Sequence, residues 1–224
     1  MHAERLIVVH NHLFKNAGST IDWALAREFG PGFLDHRDDA DMRRGEDYLG
    51  PFLAANPGIL ALSTHHLCLP VPTVPDARIA LITMFRHPVE RVSSVYEFER
   101  RQVSSPTPGA MKASTSTCGE YVEWRLDPGV GATIRNFHVR KCLPPRRGLP
   151  DLPDAAEVAR AVAFARSTDM LGLVERFDES MVLFEAFLRP QRPGIDLSCI
   201  PQNVGQSAAR SEEHTSELQS PCNL

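Results

Sequence analysis

The sequence predicts an α/β fold of three layers, with a central, mainly parallel sheet flanked by helices. Three observations predict it. Short, nearly unbroken apolar runs recur at residues 6–9 (LIVV), 59–62 (ILAL), 79–85 (IALITMF) and 170–174 (MLGLV), as strands buried on both faces require. Segments of helical periodicity lie between them. Nearly every chemically distinctive residue follows one of those runs, and open α/β sheets bind ligands beyond the carboxyl ends of their strands.

The elements follow in order. After residues 6–9, Ser19 or Thr20 is expected to cap a helix running to about Phe29, with Ile21, Leu25 and Phe29 on one stripe and Gly30 as its stop. Residues 35–47 carry dense mixed charge and read as a solvated loop or an exposed helix face. The run 79–85 is long and branched enough for a central strand, and Pro88 suits the first position of the next helix. That helix would place Val89, Val92 and Tyr96 on one face. Residues 103–119 are crowded with Ser, Thr, Pro and Gly and read as a mobile loop. Asp154 and Glu157 form a capping box that opens a helix to about Arg166. Asp178 is expected to cap a last helix whose stripe is Phe177, Met181, Phe184 and Leu188.

Composition bounds the function. The chain has 224 residues, 42% hydrophobic and 23% charged, as a single globular domain would have. No stretch approaches the roughly 18 apolar residues of a membrane span, and the N-terminus lacks the apolar core of a secretory signal. Five cysteines without a Cys-x-x-Cys pair read as reduced thiols. A formal charge of −4 gives no global drive toward nucleic acid, and the basic stretch at residues 140–148 lacks the interleaved aromatics of a strand-binding surface. The stretch RSEEHTSELQS, from Arg210, reads as the translation of a sequencing-library adapter. One domain is therefore expected over residues 1–209, with residues 210–224 a non-native tail. That tail carries one Arg and three Glu, so without it the formal charge is −2.

The loop HLFKNAGST, residues 12–20, carries the chemistry. Amides at a helix N-terminus attract an anion; Ala17 and Gly18 keep the turn narrow, Ser19 and Thr20 add hydroxyls, and Lys15 adds a point charge. A triphosphate-binding loop has its glycines first and its Lys-Ser/Thr last; here Lys15 precedes Gly18. In FRHPVERVSSVY, Arg86 follows the central run and Ser94 lies about two turns into the next helix, which suits a second phosphate. Two phosphate subsites at neighbouring strand ends suggest a nucleoside phosphorylated at both ends.

These stretches resemble the sulfotransferases that use 3′-phosphoadenosine 5′-phosphosulfate (PAPS). HLFKNAGST is similar to their His-x-Pro-Lys-[Thr/Asn]-[Gly/Ala]-Gly-[Thr/Ser]-[Thr/Ser] element, FRHPVERVSSVY to their Arg-Asp-Pro-x-x-Arg-x-x-Ser-x-Tyr element, and LGLVERFDESMVLFEAFL to a helix near their C-terminus. The likeness is to glycan O-sulfotransferases, the heparan and dermatan enzymes among them. It departs at Phe14, where Pro is usual, and at His87, where Asp is usual.

The resemblance implies a P-loop-NTPase-like sulfotransferase fold, truncated at its C-terminus. PAPS would be the co-substrate, no metal would be required, and a hydroxyl, on a saccharide, would accept the sulfuryl group. Lys15 would contact the phosphosulfate and its bridging oxygen. Asn16, Ala17, Gly18, Ser19 and Thr20 would cradle the 5′-phosphate, and Arg86 and Ser94 would hold the 3′-phosphate. A base at the strand end between the two elements would be His65 or His66, with His65 at the family position. No membrane anchor is visible, so a cytoplasmic enzyme is expected; nothing in the sequence fixes its oligomeric state.

Three other readings compete. His10, His12, His65 and His66 could suggest a metal site, but no acidic or cysteine ligand has matching spacing. A nucleotide or sugar kinase of related fold would need a triphosphate loop and a Mg²⁺-binding acid, and neither is evident. A nucleotide-binding protein without catalysis is the third.

Overall fold

The computed structural model describes residues 5–37, 39–102, 107–145 and 152–200. The masses of contact fall into two compact units, residues up to Arg86 together with those from His138, and residues from His87 to Phe137. The adapter-like tail lies outside the described residues.

The first unit is built on a five-stranded sheet. Its strands are β1 (Arg5–Asn11), β2 (Phe33–Asp35), β3 (Ala61–Thr64), β4 (Ala77–Phe85) and β5 (Met170–Leu173). They lie in the order β2-β3-β1-β4-β5, every pair parallel. Asn11 is opposite Thr64 of β3 and Thr83 of β4, so the carboxyl ends of the three middle strands share one edge. The chain runs from β1 to one side of it and later returns to the other, which makes the ends of β1 and β4 a switch point of the kind that binds ligands.

Alternation along β1 divides the core. Val8 points to a cluster with Ile21 and Leu25 of α1 (Gly18–Phe29) and with Met181, Phe184 and Leu188 of the last helix, Phe177–Leu188. Ile7 and Val9 point to the opposite cluster, with Leu49 and Leu53 of the helix Glu46–Ala55. Both faces of the sheet are therefore covered, as the apolar runs require. Gly172 of β5 has no room for a side chain: an added Cβ would lie 2.4 Å from Met84 Sδ and 2.8 Å from Phe184. That is how closely the last helix packs on the sheet.

Helix starts and stops follow local chemistry, with exceptions. Gly30 ends α1, and Asp154 and Glu157 make both bonds of their capping box over Ala155–Ser167. Pro88 opens Pro88–Arg100. Neither Ser19 nor Thr20 caps α1. The cap is Ala17, in the left-handed conformation and with no side-chain bond. The last helix opens at Phe177, one residue before Asp178, out of a short 3-10 turn. The charged stretch 35–47 includes the short helix Asp39–Met42, whose Met42 is buried.

The second unit corrects two expectations. The Ser/Thr/Pro-rich segment is not a loop over its described part: it forms the helices Pro108–Thr115 and Cys118–Leu126. Thr107 and Thr117 cap them, and Pro108 sits in the first turn, so residues that punctuate a loop here serve as helix starts. On Pro88–Arg100 the buried face is Arg91, Val95, Tyr96 and Glu99, while Val89 is exposed. Glu99 accepts from Arg125 at 2.6 and 2.7 Å and from the Tyr121 hydroxyl at 2.6 Å. A buried ion pair, not an aliphatic stripe, organises these three helices.

Candidate active site

The loop between β1 and α1 makes a tight turn of uncommon backbone geometry. Lys15 and Ala17 have φ of 63° and 61°, a region L-residues enter rarely and mostly where surrounding structure compels it. Asn16 explains the compulsion. It is buried, its Nδ2 donates to the Met84 carbonyl at 2.9 Å and lies 3.0 Å from His138 Nε2, and its main-chain N–H donates to Leu13 O. The Asn16 side chain thus anchors the loop inside the fold. The Thr20 N–H returns to Ala17 O, which leaves the amides of Ala17, Gly18 and Ser19 as those that open the helix toward a ligand. Ser19 is exposed, Thr20 buried and Lys15 half-buried.

Gly18 has a reason beyond a narrow turn. A Cβ there would stand 2.1 Å from His12 Cδ2 and 2.2 Å from its Nε2. The His12 imidazole packs directly against the start of α1.

That imidazole belongs to a buried cluster. His10 Nδ1 and His12 Nδ1 lie 2.7 Å from the two separate oxygens of Asp22, on α1, and Ser63 Oγ lies 3.1 Å from His10 Nδ1. Burial alone would raise the Asp22 carboxyl, but the two imidazole donors outweigh it and hold the group far below the usual range. Burial lowers His10. The cluster is therefore one carboxylate that accepts from the Nδ1 atoms of both rings. Asp22 supplies the acidic partner that the sequence spacing did not reveal, and the ligand atoms of His10, His12 and Asp22 lie within 4.8 Å of one another. Separations of 2.7 Å are those of charge-assisted hydrogen bonds.

His65 follows β3 and packs against His12, ring centroids 3.9 Å apart and planes tilted by 44°. Its Nδ1 donates to the His12 carbonyl at 2.9 Å. A carbonyl can only accept, so the proton is on Nδ1 and Nε2 presents a lone pair. Arg37 Nη1 lies 3.4 Å from that Nε2. Burial, with the neighbouring His12 next, lowers His65 to about 4. Lys141 Nζ donates to the His65 carbonyl at 3.2 Å. His66 is half-buried, with its N–H on Thr64 Oγ1.

Arg86 follows β4, half-buried, with no carboxylate partner among the described residues. The first unit thus gathers residues 15–20, His65, His66 and Arg86 at the carboxyl ends of three adjacent strands. Ser94 is half-buried on Pro88–Arg100 and belongs to the second unit. Cys68, Cys142 and Cys199 are free thiols, as expected of reduced cysteines.

A protein of Archaeoglobus fulgidus, described as uncharacterized, is 30% identical over 214 residues, which cover 89% of this chain and 80% of that protein. The chain belongs to the same family as that archaeal protein. No family profile and no solved structure matches the chain. Among the described residues, no helix of this family member is long and apolar enough to cross a membrane.

Proposed function

We propose that the protein is a PAPS-dependent O-sulfotransferase acting on a hydroxylated acceptor, a saccharide by resemblance, and working in the cytoplasm. One observation carries the reading: a helix-opening anion loop with a lysine and an imidazole with an unprotonated Nε2 meet at the ends of neighbouring strands. The half-buried Arg86, without a carboxylate partner, suits a second phosphate on the same edge. No metal and no nucleic acid enters the reaction.

The reaction would be an in-line displacement at sulfur. His65 Nε2 takes the acceptor's hydroxyl proton while the acceptor oxygen bonds to sulfur and the sulfur–bridging-oxygen bond breaks. Adenosine 3′,5′-bisphosphate leaves with that electron pair. Lys15 and the amides that open α1 offset the charge that grows on the departing phosphate, the kind of contribution that typically dominates such transfers. The base contributes about 10²–10⁴-fold.

Transfer of labelled sulfate from PAPS tests the reading. His65→Ala should lose transfer while binding of adenosine 3′,5′-bisphosphate survives, and Lys15→Ala should lower kcat by about 10²–10³-fold. Tighter binding of ATP than of the bisphosphate, or a Mg²⁺ requirement, would sink it in favour of a kinase.

A further inference from the structure

We propose that Asp22 is a positioning residue for His65: held by His10 and His12, its carboxylate supplies the fixed negative charge that favours the protonated base. This rests on the reading of His65 as the base.

The geometry links three rings in series. The His10 and His12 rings stack with centroids 5.2 Å apart and an interplanar angle of 26°, and the His65 ring packs against His12 at 3.9 Å, tilted by 44°. Asp22 binds the first two rings at their Nδ1 atoms, and all three residues are buried. His12 meanwhile fixes His65 through its carbonyl and is itself fixed by the Thr64 carbonyl, which accepts its N–H at 2.9 Å. Its ring also sits under Gly18. One residue thereby sets the spacing between the anion loop and the base, and Asp22 holds that residue's ring.

The charge argument runs in the same direction. When Nε2 of His65 takes a proton, an imidazolium forms against His12. Arg37 from the end of β2 and Lys141 from the helix Phe137–Lys141 face His65 and oppose that charge, with His66 beside it. Asp35 is engaged by Arg37, whose Nε donates to it at 2.7 Å. Asp22 is the carboxylate bound to the ring against which the base packs, and the low-dielectric interior screens it weakly. The direction of its effect on His65 is upward.

The test is a proton NMR titration of the imidazoles beside a pH–rate profile, in the wild type and in Asp22→Asn, Asp22→Ser and Asp22→Glu. In either neutral variant the His65 midpoint should fall by about half a unit or more, the acid limb of kcat should move down with it, and kcat should drop several-fold. Asp22→Glu should restore the midpoint toward that of the wild type. An unchanged His65 midpoint in a folded neutral variant would overturn the inference, whatever happens to stability. Should Asp22→Asn not fold, Asp22→Ser, whose hydroxyl still accepts from one ring, decides the matter. An active His65→Ala would sink the base assignment alone, because the NMR shift reads the coupling without sulfate transfer.

Discussion

The Nδ1–H of His65 donates to the carbonyl of His12 at 2.9 Å, and that bond fixes which nitrogen of the candidate base can work. The carbonyl is the main chain's, so no substitution of the His12 side chain removes it outright. His65 is tied to the strand end itself.

The lowered value of His65 makes a prediction about stability. The folded protein holds this group near 4, below the ordinary 6.5. Between those values the unfolded chain binds a proton that the folded chain refuses, so this group makes stability rise with pH across that window. In His65→Gln that part of the slope disappears. Urea unfolding at pH 5 and pH 7 should therefore favour the variant, relative to the wild type, at pH 5. Anion binding reverses the pressure on the group: saturating adenosine 3′,5′-bisphosphate should raise the His65 midpoint in an NMR titration. A midpoint that stays put would separate His65 from the anion loop.

Gly18→Ala tests the close approach of His12 and α1. The new methyl meets ring atoms at 2.1 to 2.6 Å, and the ring cannot retreat without loosening its bond to Asp22. Overpacking of this kind costs about 1–3 kcal/mol. Calorimetry should show a lower melting temperature together with at least a tenfold loss of bisphosphate affinity. Melting unchanged with affinity lost would mean that the glycine serves the ligand alone.

Much of the scaffold was legible, and the reasons are physical. Apolar runs such as residues 79–85 have few alternatives to a buried strand, and the capping box at Asp154 is a local signal that local bonds satisfy. Asp22 was not legible as a partner of His10 and His12, because helix α1 folds back on β1 and no spacing rule joins the two. One clue was present: Asp22 sits between Ile21 and Ala24 within the buried stripe, and a carboxylate there needs donors. The anchoring bond of Asn16 was not legible either, because its side chain bonds a strand 68 residues away and no spacing rule joins the two. The helices after Thr107 were missed because Ser, Thr and Pro start helices as readily as they fill loops.

Asn16→Asp tests that anchor. The donor to Met84 O would become an acceptor, and a charge would be buried beside a carbonyl. Loss of a buried donor costs about 1–3 kcal/mol, more where charge is involved. The loop should lose its left-handed turn as well, so both stability and bisphosphate affinity should fall. Asn16→Asp that melts as the wild type does would show that the anchor to β4 is dispensable.

The second unit offers a prediction independent of any chemistry. Arg125 and Glu99 are both buried, and Tyr121 bonds both through its hydroxyl, at 2.9 Å from Arg125 Nε and 2.6 Å from Glu99. Arg125→Met leaves Glu99 buried with the tyrosine alone, and breaking one side of such a pair costs about 3–5 kcal/mol. Replacing both, as Glu99→Leu with Arg125→Met, removes the stranded charge and should cost less than the single change. Urea unfolding of the two variants gives the comparison. The crowding at Gly109, where an added Cβ would meet both side chains at 2.0 and 2.2 Å, predicts in addition that Gly109→Ala behaves like the single variant. A double variant worse than Arg125→Met would mean that the shape of these side chains, not the pairing of their charges, holds the three helices together.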